Sequence, residues 1–194
     1  MRVILASNNE NKLREMQAIL SPLGWEILRQ KDVGLRLDPD ENGLTFEENS
    51  RIKAVAVMEA SGLPAIADDS GVAVDALGGD PGVHSARYGG EQCKTDKDRN
   101  RFLLQNMENV PDGKRGAQFV SVITMAYPDG KIVSARGELS GEILRQAQGD
   151  GGFGYDPLFY IPAEGCTMAE LSPQRKNEIS HRAVALRNFV NQLR

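Results

Sequence analysis

The 194-residue sequence predicts an α/β fold built on a mixed β-sheet. The first observation is an apolar segment at the N-terminus that is followed at once by a segment with helical periodicity. The second is a pair of strand-like segments on either side of Tyr127-Pro128-Asp129-Gly130, a pattern typical of a hairpin. Functional residues of such a fold are expected where strand ends and loops converge.

The first half of the chain predicts strands and helices in alternation. Residues 3–6 predict a buried strand, residues 9–20 a helix and residues 25–28 a short second strand. Thr45 is placed to cap a helix that runs to about Ser61, because acidic residues fill its first turn. This order predicts a sheet with helices packed against it.

The second half begins with an interrupted strand. Residues 64–67 predict a strand that breaks at Asp68-Asp69-Ser70-Gly71, after which residues 72–77 resume an apolar alternation. Helices are predicted over residues 96–107 and 180–193. With no linker or internal repeat in the sequence, we expect residues 1–194 to form one domain.

Composition excludes several classes of protein. The apolar stretches are far shorter than the roughly 20 residues of a membrane span, and the N-terminal one is too short for a signal-peptide core, so a cytoplasmic location is expected. A net charge of −4 argues against a sequence-independent nucleic-acid binder. Cys93 and Cys166 lack metal-ligand spacing and are expected to be free thiols.

A polar loop between the first strand and the first helix is the first candidate binding segment. Backbone N–H groups at a helix N-terminus favour a phosphate group, and Lys12 adds a positive charge. The alternative is a polar loop with an ordinary helix cap, since no glycine-rich phosphate signature is present. The candidate residues are Ser7, Asn8, Asn9, Glu10, Asn11 and Lys12.

Asp68 and Asp69 interrupt an apolar strand, and two unpaired buried carboxylates would be costly. They therefore predict a cation such as Mg²⁺, which prefers one or two carboxylates together with water and phosphate oxygens. Because neighbouring residues of a strand point to opposite faces, only one of them is expected to face the metal. The other carboxylate is expected to bond to the backbone or to Ser70. A simple aspartate turn is the alternative.

Two further segments carry candidate binding residues. Residues 151–157 combine glycines with two aromatic rings and a carboxylate, which suits a loop that wraps a planar base, although a tight turn with core aromatics is the alternative. His181 and Arg182 begin the last helix after the cap Ser180, where their charge opposes the helix dipole and calls for a nearby anion or base. The alternative for this pair is a solvated helix face.

Together these segments resemble the inosine triphosphate pyrophosphatase family of non-canonical purine nucleoside triphosphate pyrophosphatases, nearly end to end. The matching motifs are Ser7-x-Asn9-x-x-Lys12, Thr45-Phe46-x-Glu48-Asn49 with Lys53-Ala54, Ala67-Asp68-Asp69-Ser70-Gly71, Pro81-Gly82-x-x-Ser85-Ala86-Arg87-Tyr88, Gly152-Phe153-Gly154-Tyr155-Asp156-Pro157, Lys176 and Ser180-His181-Arg182.

The resemblance implies a fold and an activity. The fold would be an elongated mixed sheet with flanking helices that form two lobes around a central cleft, in a homodimer. The activity would be Mg²⁺-dependent hydrolysis of dITP/ITP and XTP/dXTP to the monophosphate and pyrophosphate, which keeps these nucleotides out of DNA and RNA.

The resemblance also implies roles for single residues. Asp69 would be the catalytic base and a metal ligand, and Glu41, from the acidic stretch at residues 38–41, would be the second ligand. Lys12, Lys53 and Lys176 would offset phosphate charge. The substrate-binding set would contain the loop at residues 7–12, Ser70, Phe153, Gly154, Tyr155, Asp156, Lys176, His181 and Arg182.

Base selection would depend on hydrogen-bond donors. Hypoxanthine and xanthine carry a keto oxygen at position 6 where adenine carries an amino group, so donors from the backbone and from Arg182 would fit the first two. Three alternatives remain: a pyrophosphatase for other unusual nucleotides, a catalytically silent nucleotide sensor, and a phosphatase that uses Asp69 as nucleophile.

Overall fold

The computed structural model describes residues 1–193 and contains seven strands and five α-helices in the order expected of an α/β protein. The strands are β1 (Arg2–Leu5), β2 (Glu26–Arg29), β3 (Ala65–Val74), β4 (Gly116–Ala126), β5 (Ile132–Ile143), β6 (Phe159–Ile161) and β7 (Cys166–Thr167). The helices are α1 (Glu10–Leu20), α2 (Phe46–Ser61), α3 (Asp96–Asn106), α4 (Pro173–Ile179) and α5 (His181–Gln192).

The strands form one sheet in the order β2-β1-β3-β4-β5-β6-β7. β1 pairs in parallel with both β2 and β3, whereas β6 pairs antiparallel with β5 and β7. The sheet is therefore mixed, and the predicted fold class is confirmed. Among residues 1–193, none of the helices combines the length and apolarity that a membrane span requires.

The chain divides into two compact units. The first contains Met1–Asp69, Ser121–Gly137 and the C-terminal segment that begins at Ser180, and the second contains Ser70–Val120 and Glu138–Ile179. β3, β4 and β5 each contribute residues to both units.

The first unit has helices on both faces of its part of the sheet. Side chains of β1 alternate, so Val3 and Leu5 join an apolar cluster with α1 and α5 while Ile4 joins a second cluster with α2. Both clusters consist of buried residues, including Phe189 of α5 and Val57 of α2. The two clusters thus pack α1, α2 and α5 against β1.

The second unit has one apolar core. Val72 and Val74 of β3 pack with Leu103 of α3, and the rings of Phe119 and Phe159 stack with their centroids 4.2 Å apart. These side chains are nearly or fully buried. The core anchors α3 and the chain segment that precedes β6.

The helix caps agree with the sequence. Thr45 and Glu48 form a capping box at the start of α2, and Ser180 caps α5 through the N–H of Ala183. The predicted helices, the hairpin around the turn at residues 127–131 and the first two strands are confirmed within one or two residues. α4, β6 and β7 were not predicted, because they are too short to show periodicity.

One predicted break is wrong. β3 continues through Asp68-Asp69-Ser70-Gly71, where the sequence had indicated an interruption. Carboxylates are compatible with a buried strand when they are paired, and both aspartates have cationic partners. Because they are paired, the two carboxylates can remain buried in a continuous strand.

Candidate active site

Asp68 and Asp69 are consecutive residues of β3 in the first unit, and both are buried, with 1% and 5% of their surfaces exposed. Their side chains point to opposite faces of the strand. Each carboxylate consequently meets its own set of partners, and the two differ in their electrostatic state.

Asp68 is surrounded by donors. Its Oδ1 accepts a hydrogen bond from Ser121 Oγ at 2.5 Å, while its Oδ2 lies 3.0 Å from Arg182 Nη2 and 2.8 Å from Lys12 Nζ. Burial acts to raise the pKa of the Asp68 carboxyl, but the charges of Arg182 and Lys12 outweigh it and hold that pKa well below its usual range. The sequence had suggested the backbone or Ser70 as a partner for Asp68, and it did not indicate Ser121, Arg182 or Lys12.

Asp69 has a different environment. Its Oδ1 lies 2.6 Å from Lys53 Nζ, whereas its buried Oδ2 has no hydrogen-bond partner among residues 1–193. Burial raises the pKa of the Asp69 carboxyl to about 6, against the opposing effect of Lys53. A carboxyl that titrates near neutrality, with one oxygen not engaged by these residues, is equipped to bind a cation or to accept a proton.

Glu41 and Asp69 share one ammonium group. Lys53 Nζ lies 3.1 Å from Glu41 Oε1 as well as 2.6 Å from Asp69 Oδ1. Burial acts to lower the pKa of Lys53, but the charges of Asp69 and Glu41 outweigh it and raise that pKa. The ammonium therefore stays charged between the two residues that the resemblance implies as metal ligands.

The donor set fits a magnesium ion that also takes oxygens from its substrate. Residues 1–193 contain no cluster of three or more His, Cys, Asp or Glu side chains that would form an all-protein cage. Mg²⁺ characteristically uses one or two carboxylates and fills its other positions with water and phosphate oxygens. Asp69 Oδ2 and the Glu41 carboxylate are oxygens of that kind.

The loop between β1 and α1 borders a cavity of about 180 Å³. Of the predicted phosphate-binding loop, Ser7, Asn8, Asn9 and Glu10 line this cavity, and Asn11 and Lys12 do not. Arg29 and Lys31 contribute to the same wall, each between 3.7 and 3.8 Å from Glu10. The cavity thus brings polar groups and two cations to the start of α1.

Some of the backbone N–H groups at the N-terminus of α1 already donate hydrogen bonds within the protein. Asn9 is the N-cap of α1, and its Oδ1 accepts hydrogen bonds from the N–H groups of Asn11 and Lys12. The Asn11 side chain accepts from Arg14 Nη2 at 2.5 Å, and Lys12 Nζ is paired with Asp68. The N–H groups of Asn11 and Lys12 therefore already have an acceptor within the protein, and phosphate binding at this loop stays a prediction.

His181 and Arg182 begin α5 and are both buried, with 5% and 1% of their surfaces exposed. The alternative of a solvated helix face is therefore wrong. The Arg182 guanidinium pairs with both Glu15 and Asp68. The anion that a basic helix N-terminus calls for is thus supplied by two carboxylates of the protein itself.

The second unit holds the other candidate segment. Asp156 Oδ2 accepts hydrogen bonds from the Phe153 N–H at 2.9 Å and from Lys176 Nζ at 2.7 Å. Lys176 Nζ also lies 4.6 Å from the centroid of the half-buried Phe153 ring. A Cβ on Gly152 would lie only 2.0 Å from Asp156 Oδ2, so the turn requires glycine there.

Tyr155 differs from Phe153 in its surroundings. Its ring packs in the core of the second unit, and its hydroxyl donates to the Ser85 carbonyl at 2.8 Å. Burial raises the pKa of the Tyr155 hydroxyl, so it remains a donor. Of the two aromatic rings, Tyr155 thus belongs to the core, as the alternative interpretation held, and Phe153 is the more accessible.

The three lysines proposed for phosphate binding are all ion-paired. Lys12 pairs with Asp68, Lys53 with Asp69 and Glu41, and Lys176 with Asp156. Burial, with the nearby charges of Lys53 and Arg182, also lowers the pKa of Lys12. The positive charge of each of these lysines is therefore already paired with a carboxylate of the protein.

Two partners in this cluster, Glu15 and Ser121, were not predicted from the sequence. Glu15 lies three residues after Lys12 on α1, so the two share a helix face, and that spacing is a usable signal. Ser121 is a fully buried hydroxyl inside the apolar strand β4, where an unpaired polar group would be costly. Only the strand order, which sets β4 beside β3, identifies its partner as Asp68.

Comparison with known proteins gives consistent matches along the chain. A model of the Ham1 family matches residues 3–192. A dITP/XTP pyrophosphatase of Thermus thermophilus is 51% identical over 190 residues, which cover 98% of this chain and 90% of that protein. A dITP/XTP pyrophosphatase of Haemophilus ducreyi is 50% identical over 196 residues, with coverage of 99% and 98%.

The fold is also similar to solved structures. A HAM1 protein from Coxiella burnetii superposes with a TM-score of 0.90 at 42% sequence identity. The match covers 100% of this chain and 98% of that protein. Fold and sequence therefore agree over nearly the whole length.

Proposed function

Because this chain belongs to the Ham1 family, we propose that it hydrolyses non-canonical purine nucleoside triphosphates, dITP/ITP and XTP/dXTP, to the monophosphate and pyrophosphate. Relatives that are 50 to 51% identical over nearly the whole chain carry the name dITP/XTP pyrophosphatase. The observation that carries the proposal is the Asp69 carboxylate, with its raised pKa and its buried Oδ2.

Mg²⁺ is the cofactor that we propose, with Asp69 and Glu41 as its protein ligands. When bound, such an ion polarises a phosphoryl oxygen and offsets phosphate charge. The charges of the ion-paired cluster in the first unit support this proposal, because its cations Lys12, Lys53 and Arg182 are outnumbered by four carboxylates. These are Glu15, Glu41, Asp68 and Asp69. A highly anionic triphosphate needs an additional cation at such a cluster.

The protein's part in the reaction centres on proton transfer. Asp69 accepts a proton from a water molecule as the water oxygen bonds to the α-phosphorus, and the bond from that phosphorus to the bridging oxygen breaks. Pyrophosphate leaves with the bonding electrons. Lys53 holds Asp69 Oδ1 at 2.6 Å, which fixes the orientation of the carboxylate, and Oδ2 has no hydrogen-bond partner among residues 1–193.

Asp68 has a supporting role in this proposal. Its depressed pKa keeps it ionised, so it holds Lys12 and Arg182 in place and takes no part in proton transfer. The two adjacent carboxylates thus have different roles, Asp69 in proton transfer and Asp68 in binding the cations, because their environments move their pKa values in opposite directions.

Triphosphate binding is proposed for the loop before α1. Ser7, Asn8, Asn9 and Glu10 border the cavity at that helix N-terminus, and Lys12 lies in the first turn of α1. Asn11, whose side chain accepts from Arg14, belongs to the same proposed set. Polar side chains and the helix dipole at this terminus favour phosphate groups.

Base binding is proposed for residues of the second unit. Phe153 offers a half-buried ring for stacking, and the Lys176–Asp156 ion pair holds the segment around it. Gly154 and Tyr155 belong to the proposed set as the next residues of the same turn, and Ser70 through its position directly after Asp69.

His181 and Arg182 of the first unit complete the proposed substrate-binding set. Donors from such groups fit the keto oxygen of hypoxanthine and xanthine and leave the amino group of adenine unmatched. Discrimination of this kind reaches roughly 10⁴ to 10⁵ in sites built on hydrogen bonds.

The biological role that we propose is removal of damaged purine nucleotides before they enter DNA and RNA. The substrate would be the protein's principal partner, and the cytoplasm, where the nucleotide pool lies, its place of action. We further propose a homodimer, for which sedimentation equilibrium is expected to give about twice the 21.2 kDa chain mass.

The test is a panel of dITP, XTP, dATP, dGTP and dTTP with Mg²⁺, in which pyrophosphate and orthophosphate are measured separately. We expect pyrophosphate from dITP and XTP and far less from the other three. Orthophosphate as the first product would favour an aspartate-nucleophile phosphatase, and equal cleavage of all five would contradict the proposed base selection.

A further inference from the structure

The backbone of Gly154 is bound on both sides by one helix of the second unit. The Gly154 N–H donates to Asp96 Oδ2 at 2.7 Å, and Asn100 Nδ2 donates to the Gly154 carbonyl at 3.1 Å. Asp96 and Asn100 are four residues apart on α3, so they lie on the same helix face. A single helix face therefore satisfies both polar groups of one backbone residue.

Gly154 lies directly after Phe153, the ring that we propose for base stacking. It adopts φ +62°, in the left-handed region that favours glycine. The peptide plane between the two residues contains the Gly154 N–H, so Asp96 fixes the orientation of the Phe153 carbonyl side. On its other side, the Phe153 N–H is held by Asp156. The backbone of Phe153 is thus bound at both ends.

α3 is well suited to hold this turn because it is itself anchored. Thr95 and Asp98 form a capping box at its start, and Leu103 is fully buried in the core of the second unit. Arg99 Nη2 donates to Asp96 Oδ1 at 2.6 Å, which leaves Asp96 Oδ2 directed at Gly154. The acceptor that Gly154 uses is therefore oriented by a neighbouring side chain.

We propose that Asp96 and Asn100 are positioning residues that hold Phe153 in the orientation needed for binding the purine base. This inference rests on the proposed function, since it assigns a purpose to the turn that contains Phe153. Neither residue is proposed to touch the substrate. Their loss should weaken substrate binding and leave the chemical step at Asp69 largely intact.

The test compares three variants with the wild-type chain: Asn100→Ala, Asp96→Asn and Gln105→Ala. Asn100→Ala removes the donor to Gly154, whereas Asp96→Asn keeps an acceptor oxygen and serves as the conservative change. Gln105 is exposed on the same helix, so Gln105→Ala is the matched control for loss of an amide.

We expect Asn100→Ala to raise KM for dITP about tenfold with kcat changed less than about threefold, as for loss of one positioning hydrogen bond. Calorimetric titration with IMP, which is not hydrolysed, should show the same loss of affinity. Asp96→Asn should lie between Asn100→Ala and the wild type, and Gln105→Ala should match the wild type.

Hydrogen exchange measured by mass spectrometry supplies a readout that needs no substrate. Peptides covering residues 151–157 should exchange faster in Asn100→Ala than in Gln105→Ala, because the Gly154 turn is less restrained. Unchanged exchange, or a loss of kcat with KM and IMP affinity unaltered, would overturn the inference. If the wild-type chain failed to hydrolyse dITP, the proposed function would fail, and exchange alone would then decide whether α3 restrains the turn.

Discussion

Asp68 and Asp69 are chain neighbours whose carboxyl pKa values move in opposite directions. Asp68, paired with Arg182 and Lys12, has its pKa held well below the usual range, whereas burial raises that of Asp69 to about 6. Alternation along β3 creates this contrast, because each side chain faces a different set of charges. The residue suited to proton transfer is thus selected by its surroundings.

A pH profile tests the role of Asp69 as base. Because the ionised carboxylate accepts the proton, we expect kcat/KM for dITP at low Mg²⁺ to fall about tenfold per pH unit below about pH 6. Protons and metal compete for the same carboxylate, so raising the Mg²⁺ concentration should move the midpoint to lower pH. A profile that stays flat down to pH 5 at low Mg²⁺ would contradict the assignment.

The substitution Asp68→Asn tests the second carboxylate through stability. It leaves the buried Arg182 and the half-buried Lys12 without this counter-charge, so the free energy of unfolding at pH 7 should fall by about 3 kcal/mol. Urea unfolding measures the change, and Asp150→Asn, at an exposed carboxylate, is the control.

The sign of the pH dependence follows from the depressed pKa of Asp68. Its stabilising effect is present above the unfolded value near 3.8 and is lost as pH falls through the lower folded pKa. The difference between wild type and Asp68→Asn should therefore shrink only below about pH 4. A difference that is constant from pH 7 to pH 3 would show that charge is not its cause.

At the scale of elements, one part of β3 was predicted correctly from the sequence pattern and another part was not. Periodicity correctly indicated an apolar strand around residues 65–67 and 72–74, but the intervening carboxylates indicated a turn. Their partners Lys12, Lys53 and Arg182 come from α1, α2 and α5, which no local pattern places beside β3. Helix caps such as Thr45 were predictable because their contacts are local.

Arg115 joins the end of α3 to the end of β5 in the second unit. Its buried guanidinium donates to the carbonyls of Met107, Val110, Ile143 and Leu144, at 2.8 to 3.3 Å. Arg115→Met should lower the free energy of unfolding by about 3 kcal/mol, because buried carbonyls lose a charged donor.

Chemical denaturation measures this loss, with the exposed Arg145→Met as control, for which a change below about 1 kcal/mol is expected. If the two substitutions lowered the free energy of unfolding equally, the buried hydrogen bonds of Arg115 would contribute no additional stability. Because α3 also holds Gly154, the Arg115 substitution additionally tests whether the helix end supports the turn.

At the scale of the whole molecule, a net charge of −4 and an anionic substrate are reconciled by local arrangement. Every lysine proposed for phosphate binding already has a carboxylate partner, so binding must either exchange these pairs or add a cation. This distribution of charge supports the proposal that Mg²⁺ takes part in the reaction.

The family resemblance inferred from the motifs is confirmed by the Ham1 model and by relatives with about half their residues identical. The mixed sheet is confirmed as well. The single two-lobed domain, the homodimer and the individual site residues stay predictions, since motifs identify residue types and local spacing, whereas Ser121 and Glu15 show that partners depend on tertiary packing.

The most direct test of the central claim is pyrophosphate release from dITP by Asp69→Asn with Mg²⁺ at pH 8. Glu59→Gln, which changes an exposed carboxylate of α2, is the matched control. We expect Asp69→Asn to remain folded and to lose at least about a thousandfold in kcat, as for removal of an essential base and metal ligand, while Glu59→Gln matches the wild type. Wild-type rates in a folded Asp69→Asn variant would contradict the account.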